Sequence, residues 1–321
     1  MEGGGPRGIH DFGPWPAAPV LLACSGGADS TFLAWSWTRA AAAAPLPPAR
    51  VVVVDHGQRP TSGEEAAAAA ALYRGMGLEV ELRRAAVDPG ADEGRLREAR
   101  YRELLAAAEA CGAARVLTAH HARDQAETLL LRILRGTGLA GLAGIPERRE
   151  LAPGVELLRP LLDHDPAVMR ASLREAGVAW IEDPSNQDPE VAGRNRLRRL
   201  WPELEALASA RPEQALERLR REALAHEAMV DEVDAAGTSF ETLPSHLRRQ
   251  LLRRRLREAG ATPSPARLAD LEGALLRRGT AAVDADRRLL LRAGLLVLVG
   301  RRGDRPEGGA GPDGEVLEQD R

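Results

Sequence analysis

Three groups of polar residues in this 321-residue chain have the types and spacing that chemistry on phosphates requires. The first is Ser25-Gly26-Gly27-Ala28-Asp29-Ser30. Two glycines let the backbone approach an anion closely, and serine hydroxyls with the free amides of a following helix can hold phosphate oxygens. Asp29 inside such a nest would repel phosphate unless a divalent cation lay between them, so it points to Mg²⁺ as its ligand. The second group is Asp55-His56-Gly57, which extends the expected nucleotide site. The third is His120-His121 followed by Asp124, Gln125 and Glu127. Asp29 and Asp124 are the expected catalytic carboxylates. The plainer readings are a glycine-rich turn capped by Ser25 or Ser30, and acids at a helix start that only complement its dipole. His-His-x-x-Asp lacks the i, i+4 histidine spacing of a helical zinc site, so the histidines are expected to shape the nucleotide site instead.

These groups need a scaffold. Val20–Ala23 is a short apolar run leading into the serine-glycine turn, and a helical stretch follows to about residue 44. Val51–Val54 is four β-branched residues in a row, the pattern of a strand buried on both faces, and it ends at Asp55. Further strands are expected at Glu79–Arg83 and Arg115–Ala119, with helices at 64–76, 93–111 and 124–134. Strand and helix alternate with connections too long for hairpins, which predicts a doubly wound parallel α/β sheet. In such sheets ligands sit beyond the carboxyl ends of the strands, where Ser25, Asp55 and His120 would meet. Later come a glycine-spaced loop at 136–144, apolar pieces at 157–162 and 178–181, and a helix at about 165–176. After Pro202 the pattern is helical and rich in arginine, closing in a hairpin over 287–300 with Ala293-Gly294 as its turn.

The chain contains no lysine; all 44 basic residues are arginine. A Walker A loop and Schiff-base chemistry both need a lysine, so both are excluded. No apolar run approaches the roughly 20 residues of a spanning helix, and no secretory signal is visible at the start. The two cysteines, Cys24 and Cys111, are too far apart for a paired motif, so a cytoplasmic setting is expected. Residues 190–302 hold 22 Arg against 16 acids, whereas 1–189 hold 20 Arg against 25. That asymmetry predicts a nucleic-acid surface on the second part.

The motifs also carry a resemblance. SGGADS matches the SGGxDS signature of the PP-loop, or N-type, ATP pyrophosphatases. VDHGQRP (54–60), the Glu93, Arg97, Arg100, Tyr101 helix, and AHHARDQAETLLLRILRGTGLAGLAGI (119–145) are similar to segments of the tRNA(Ile)-lysidine synthetases. RPLL (159–162), DPSNQD (183–188) and RNRLR (194–198) follow in that family's order. The resemblance covers about 20–202. It implies that ATP and Mg²⁺ bind at Ser25, Gly26, Gly27, Ala28, Asp29, Ser30, Asp55 and His56. It further implies that the wobble cytidine of CAU-anticodon isoleucine tRNA is adenylated at its O2, and that free L-lysine then displaces AMP. The tRNA or lysine site is expected to use Arg97, Arg100, His120, His121, Gln125, Glu127, Arg135, Asn186, Arg194, Asn195 and Arg196. One departure stands out: Arg123 occupies a position where the family pattern has an acid. On a helix start Arg123 is expected to turn toward solvent or tRNA phosphate, leaving Asp124 facing the nucleotide.

The domains expected are a loose N-terminus (1–17), a PP-loop domain (18–202), a smaller, mainly helical, arginine-rich tRNA-binding domain (203–302) and an acidic disordered tail (303–321). A homodimer is left open and no membrane partner is expected. The competing readings are a PP-loop thiolation enzyme and an inactive nucleotide-binding relative. Thiolation needs paired cysteines, which Cys24 and Cys111 do not provide.

Overall fold

A computed structural model describes residues 8–58, 60–88, 91, 93–182, 192–208, 211–261 and 263–300. Six strands form one sheet: β1 (Val20–Ala23), β2 (Ala49–Asp55), β3 (Glu79–Arg84), β4 (Arg115–Thr118), β5 (Arg148–Ala152) and β6 (Val155–Leu158). Their order is β3-β2-β1-β4-β6-β5, and every pairing is parallel except β5 with β6. Period-2 side-chain alternation explains why the central strands read as unbroken apolar runs. Val20, Leu22, Val51, Val53, Leu117 and Leu158 face one core, with α1 (Ala28–Ala43), α2 (Ser62–Gly75) and α5 (Pro166–Glu175) packed over it. Leu21, Val52, Val116 and Leu157 face the other, beneath α3 (Glu93–Cys111). Each fully buried Val or Leu contributes roughly 1.5–3 kcal/mol of transfer free energy.

β1 lies between β2 and β4, so the chain winds outward from β1 in both directions. The crevice at the carboxyl ends of β1 and β4 is the switch point of this sheet. Strand β5 had no strand signal, because Arg148-Arg149-Glu150 does not alternate and occupies a solvent-facing edge.

Helix α4 (Ala122–Leu134) follows β4. It packs through Ala126 against Leu197 and Trp201 of α6 (Ala192–Leu207), and through Leu129 against Leu142 and Ala223. Ala223 belongs to α7 (Pro212–Ala235). These contacts move the domain division. The first compact unit runs to Leu224 and the second begins at Ala225, rather than at 202/203. The N-terminal expectation also needs correction. Ile9 and Phe12 are buried in a 3₁₀ turn, and Trp15 meets Trp37 edge-on at 5.1 Å. The tail from 303 lies outside the described residues, as do 1–7.

The second unit is mainly helical, with α8 (Ser245–Glu258) and α9 (Pro265–Arg278), but it also carries a three-stranded antiparallel sheet. That sheet consists of β7 (Thr280–Ala282), β8 (Arg287–Arg292) and β9 (Leu295–Gly300). Leu252, Leu256, Leu268, Leu271 and Leu275 bury against Ala281 and Leu289. The β8–β9 turn is Ala293-Gly294, both at positive φ (50° and 78°), the geometry a two-residue hairpin favours. No helix among the described residues is long and apolar enough to cross a membrane.

Candidate active site

The turn after β1 is braced from beneath, and the amides that follow it are left open. Gly26 has φ +92°, and a Cβ there would come 2.9 Å from the Ala69 Cβ and 3.0 Å from Ile181 Cδ1. Only glycine fits. Gly26 N–H donates to the Tyr73 hydroxyl at 3.0 Å, and the Gly26 carbonyl accepts from Ile181 N–H at 2.9 Å. Helix α1 begins at Ala28 with Gly27 as its N-cap, and no side chain caps it. Its first amides therefore face outward as anion donors.

The two serines differ. Ser25 is exposed, whereas Ser30 is buried and accepts from Ser25 N–H at 3.2 Å while donating to the Gly27 carbonyl at 3.0 Å. Ser30 thus staples the turn, and Ser25 is the hydroxyl a phosphate can reach. Tyr73, absent from the expected site, also lies 3.1 Å from Ser30 Oγ. Burial raises the Tyr73 hydroxyl above its ordinary range, so it stays protonated.

Across the switch point, His121 caps α4. Its Nδ1 accepts from Asp124 N–H at 3.4 Å, and its own N–H donates to Asp124 Oδ2 at 3.1 Å. Its Nε2 lies 3.4 Å from Asp29 Oδ2 and 3.5 Å from Asp124 Oδ2. One imidazole therefore joins the two carboxylates singled out in the sequence. Burial opposes the His121 charge, but Asp29, Asp124 and Glu127 together outweigh it and hold its pKa above the ordinary value. Burial likewise opposes ionisation of Asp124, yet His121, His120, the His121 amide and Arg194 hold its carboxyl below the usual range. His120 moves the opposite way: burial, countered by Asp124 but reinforced by Arg159, Arg97 and Arg194, lowers it to about 4.

Arginines from α6 complete the wall. The Glu127 side chain is fully buried and takes both arms of Arg198, at 2.8 and 3.3 Å, with Arg194 Nε at 3.4 Å. Burial nonetheless keeps its pKa raised. Arg198 also reaches Asp124 Oδ1 at 3.6 Å. Arg194 donates to Thr128 Oγ1 at 2.9 Å. Arg194 and Glu127, expected to meet RNA or lysine separately, hold one another. Arg198 was not among the expected site residues, although its i, i+4 spacing from Arg194 places both on one helix face. Arg170, also not anticipated, approaches Asp29 Oδ1 at 3.9 Å.

The remaining expected residues disperse. Gln125 clasps Ile145, accepting from its N–H at 2.6 Å and donating to its carbonyl at 3.0 Å. It fixes the glycine loop rather than facing the crevice, and a Cβ on Gly144 would strike it at 2.3 Å. Asp55 accepts from Gly57 N–H at 2.8 Å and bonds the Ser62 side chain, so it shapes the entry to α2. His56 meets Arg100 at 3.4 Å, and Arg97 meets the Tyr101 hydroxyl at 3.2 Å. Tyr101 is half-buried between the guanidiniums of Arg97 and Arg149, at 5.1 and 4.9 Å. Arg135 is exposed at the far end of α4, roughly 16 Å of helix from Asp124. Arg196 is exposed on α6. Asn186 and the Asn195 side chain lie outside the described residues.

A PP-loop domain family model matches residues 9–204. The tRNA(Ile)-lysidine synthase of Methylobacterium nodulans is 40% identical over 87% of this chain and 86% of its own. That of Bradyrhizobium sp. strain BTAi1 is 42% identical over 83% and 81%. This chain belongs to the tRNA(Ile)-lysidine synthase family of PP-loop proteins. The U34-tRNA thiolase NcsA of Methanococcus maripaludis, solved with its [4Fe-4S] cluster, shares the fold. Its TM-score is 0.55 at 16% identity, covering 66% of this chain and 73% of that one.

Family membership accounts for the order of the motifs, and the geometry shows what several of them touch. The QAET segment and the RNRLR segment meet as Glu127 with Arg194 and Arg198. A pH effect follows from His120. A histidine whose folded pKa lies below its unfolded value favours folding when neutral. That stability is present above about pH 6.5 and is lost as pH falls toward about 4. His120→Gln should therefore flatten the acid limb of a melting-temperature profile between those values. A variant whose acid limb keeps the parent's slope would show that His120 is not held neutral by the fold.

Proposed function

We propose that this protein ligates free L-lysine to carbon 2 of the wobble cytidine in CAU-anticodon isoleucine tRNA, with ATP converted to AMP and pyrophosphate. The observation that carries the reading is the junction at the switch point. An uncapped helix N-terminus on one side and the Asp29–His121–Asp124 cluster on the other enclose the place where an α-phosphate and a nucleophile would meet.

In the first step the cytidine O2 attacks the α-phosphorus and pyrophosphate leaves. In the second, the lysine ammonium gives one proton to solvent, the free amine attacks carbon 2, the C–O bond to AMP breaks, and the newly bonded nitrogen gives a second proton to solvent. The α1 amides and the Ser25 hydroxyl bind phosphate oxygens, and amides positioned in advance stabilise developing charge without reorganising. Asp124, ionised and steered by His121 and Arg198, holds the lysine ammonium near the reacting carbon. Asp29 fits Mg²⁺. Its Oδ1 is buried with no hydrogen-bond partner, and Mg²⁺ bound to a nucleotide needs only one or two carboxylates beside phosphate and water. When bound, Mg²⁺ supplies charge neutralisation at the phosphates.

The thiols do not favour sulfur transfer. Burial pushes the Cys24 thiol up to about 12, so it is not a thiolate at neutral pH, and Cys111 packs against the opposite core. A tRNA substrate and two cysteines without a disulfide support a cytoplasmic setting. Labelled lysine should enter isoleucine tRNA transcripts only with ATP, releasing AMP. ATP cleavage without lysine incorporation would overturn the reading.

The arginine-rich second unit is the proposed tRNA surface. Many of its arginines are already neutralised: Arg248 and Arg249 by Glu272, Arg254 by Asp231, Arg255 by Asp234. Arg253 and Arg257 differ. They repeat at i, i+4 on α8 with no acid partner among the described residues, and burial plus Arg257 lower the pKa of Arg253. Like charges at this spacing are unfavourable without a polyanion. Replacing both with Gln should weaken tRNA binding about tenfold at moderate salt and reduce the log–log salt slope by roughly two. An unchanged slope would place the phosphates elsewhere.

A further inference from the structure

Arg123 departs from the family's usual acid, and its surroundings give it a task. It is the second residue of α4, where a cation opposes the helix dipole. Something must offset that cost. Its Nε and one terminal nitrogen reach Glu213 Oε1 at 3.2 and 3.1 Å, and the same terminal nitrogen reaches Glu205 at 3.0 Å. The guanidinium also sits 5.1 Å from the centre of the Trp201 ring. Trp201 is only 2% exposed and belongs to the cluster that seals α4 against α6. Glu213 is held in turn at the start of α7, where Arg211, two residues earlier, pairs with Asp165 at the cap of α5.

The expectation that Arg123 turns toward solvent or tRNA phosphate is therefore corrected: it is half-buried and paired with acids of α6 and α7. Two ion-pair sets of opposite polarity join α4 to α6. In one, cations Arg194 and Arg198 on α6 meet Glu127 and Asp124 on α4. In the other, the cation is on α4 and the acids are on α6 and α7. A sliding or rotation of α4 against α6 would break both, so together they define one register.

We infer that Arg123 is a positioning residue: it ties the first turn of α4 to α6 and α7 and thereby keeps Asp124 between His121 and Arg198. The inference rests on the ligase reading above, in which Asp124 acts on substrate. It also sets the sign for restoring the family's acid. Arg123→Asp places a third carboxylate beside Glu205 and Glu213, so it harms the enzyme instead of repairing it.

The test is steady-state turnover of the full chain with tRNA, ATP and lysine, for Arg123→Ala, Arg123→Asp, Arg123→Glu, Glu213→Arg and the swap Arg123→Glu/Glu213→Arg. Arg123→Ala should lower kcat about tenfold with the KM for ATP unchanged, and Arg123→Asp should lower it further. The swap should recover several-fold over either of its single changes, which a loss of unspecific stability would not give. Melting temperatures and ATP binding, measured alongside, identify any variant that does not fold. Glu213→Gln and Glu205→Gln then carry the test, and each should lower kcat without touching the KM for ATP. Full turnover in Arg123→Ala, a gain in Arg123→Asp, or a swap no better than its singles would overturn the inference. Absence of lysine transfer by the parent chain would instead defeat the ligase reading.

Discussion

Asp29→Ala should lower pyrophosphate release by about a thousandfold while the domain stays folded. The side chain is a third exposed, and α1 is capped by Gly27 rather than by Asp29, so the structural cost is confined to the contacts with His121 and Arg170 and the dipole contribution of one first-turn acid. The functional cost is much larger. Asp29 is the carboxylate nearest the open α1 amides, and its Oδ1 is buried with no hydrogen-bond partner. A charge held in advance at a phosphate-transfer site is worth roughly 10²–10³ in rate. Turnover should also lose its dependence on Mg²⁺ concentration in the range where the parent responds. Asp29→Asn separates the two roles of the side chain. It keeps an acceptor for His121 Nε2 and removes the charge, so it should fail nearly as badly. Mg²⁺-dependent turnover at the parent's rate in Asp29→Ala would remove the assignment.

The second large effect is expected at Asp124. Asp124→Asn should cost at least a hundredfold in kcat at saturating ATP and lysine. An asparagine Oδ1 can still accept from His121 N–H, so the cap of α4 is retained and the melting temperature should fall by only a few degrees. What disappears is the negative charge facing His121 and Arg198. The two variants should differ in kind. Asp29→Ala should block the ATP-dependent first step, whereas Asp124→Asn should leave some adenylated tRNA formed and fail at lysine transfer. A trapped nucleotide-linked tRNA, detected by retention of label from the α-phosphate, distinguishes them. Lysine transfer in Asp124→Asn at the parent's rate would mean that another group carries this task.

Much of the site was legible because it is local. A glycine pair between a strand and a helix must turn tightly and must leave helix amides open, whatever surrounds it. The unbroken Val51–Val54 run can only be a strand covered on both faces, and alternate burial of Val52 against Val51 and Val53 bears that out. Ala293-Gly294 likewise prescribes its own hairpin. His121 and Asp124 stood out as one polar group by their spacing, and the structure starts α4 two residues earlier than the sequence suggested, which makes His121 its cap.

Tertiary structure alone decided the partners that lie far apart in the chain. Tyr73 reaches the serine-glycine turn across 43–47 residues, and Arg198 and Arg123 reach their acids across 71 and 82–90. Nothing in the local spacing marks such pairs, because they depend on how apolar faces set one helix against another. The same packing set the partners of residues that the sequence had grouped together. Gln125 and Glu127 sit two apart on one helix, so they point in different directions, one to a loop carbonyl and the other to two arginines. The sequence by itself marked the glycine turn after β1 as the place where phosphate chemistry is proposed. Only the fold determined which charges are free to perform it, because a buried charge must first find its partner.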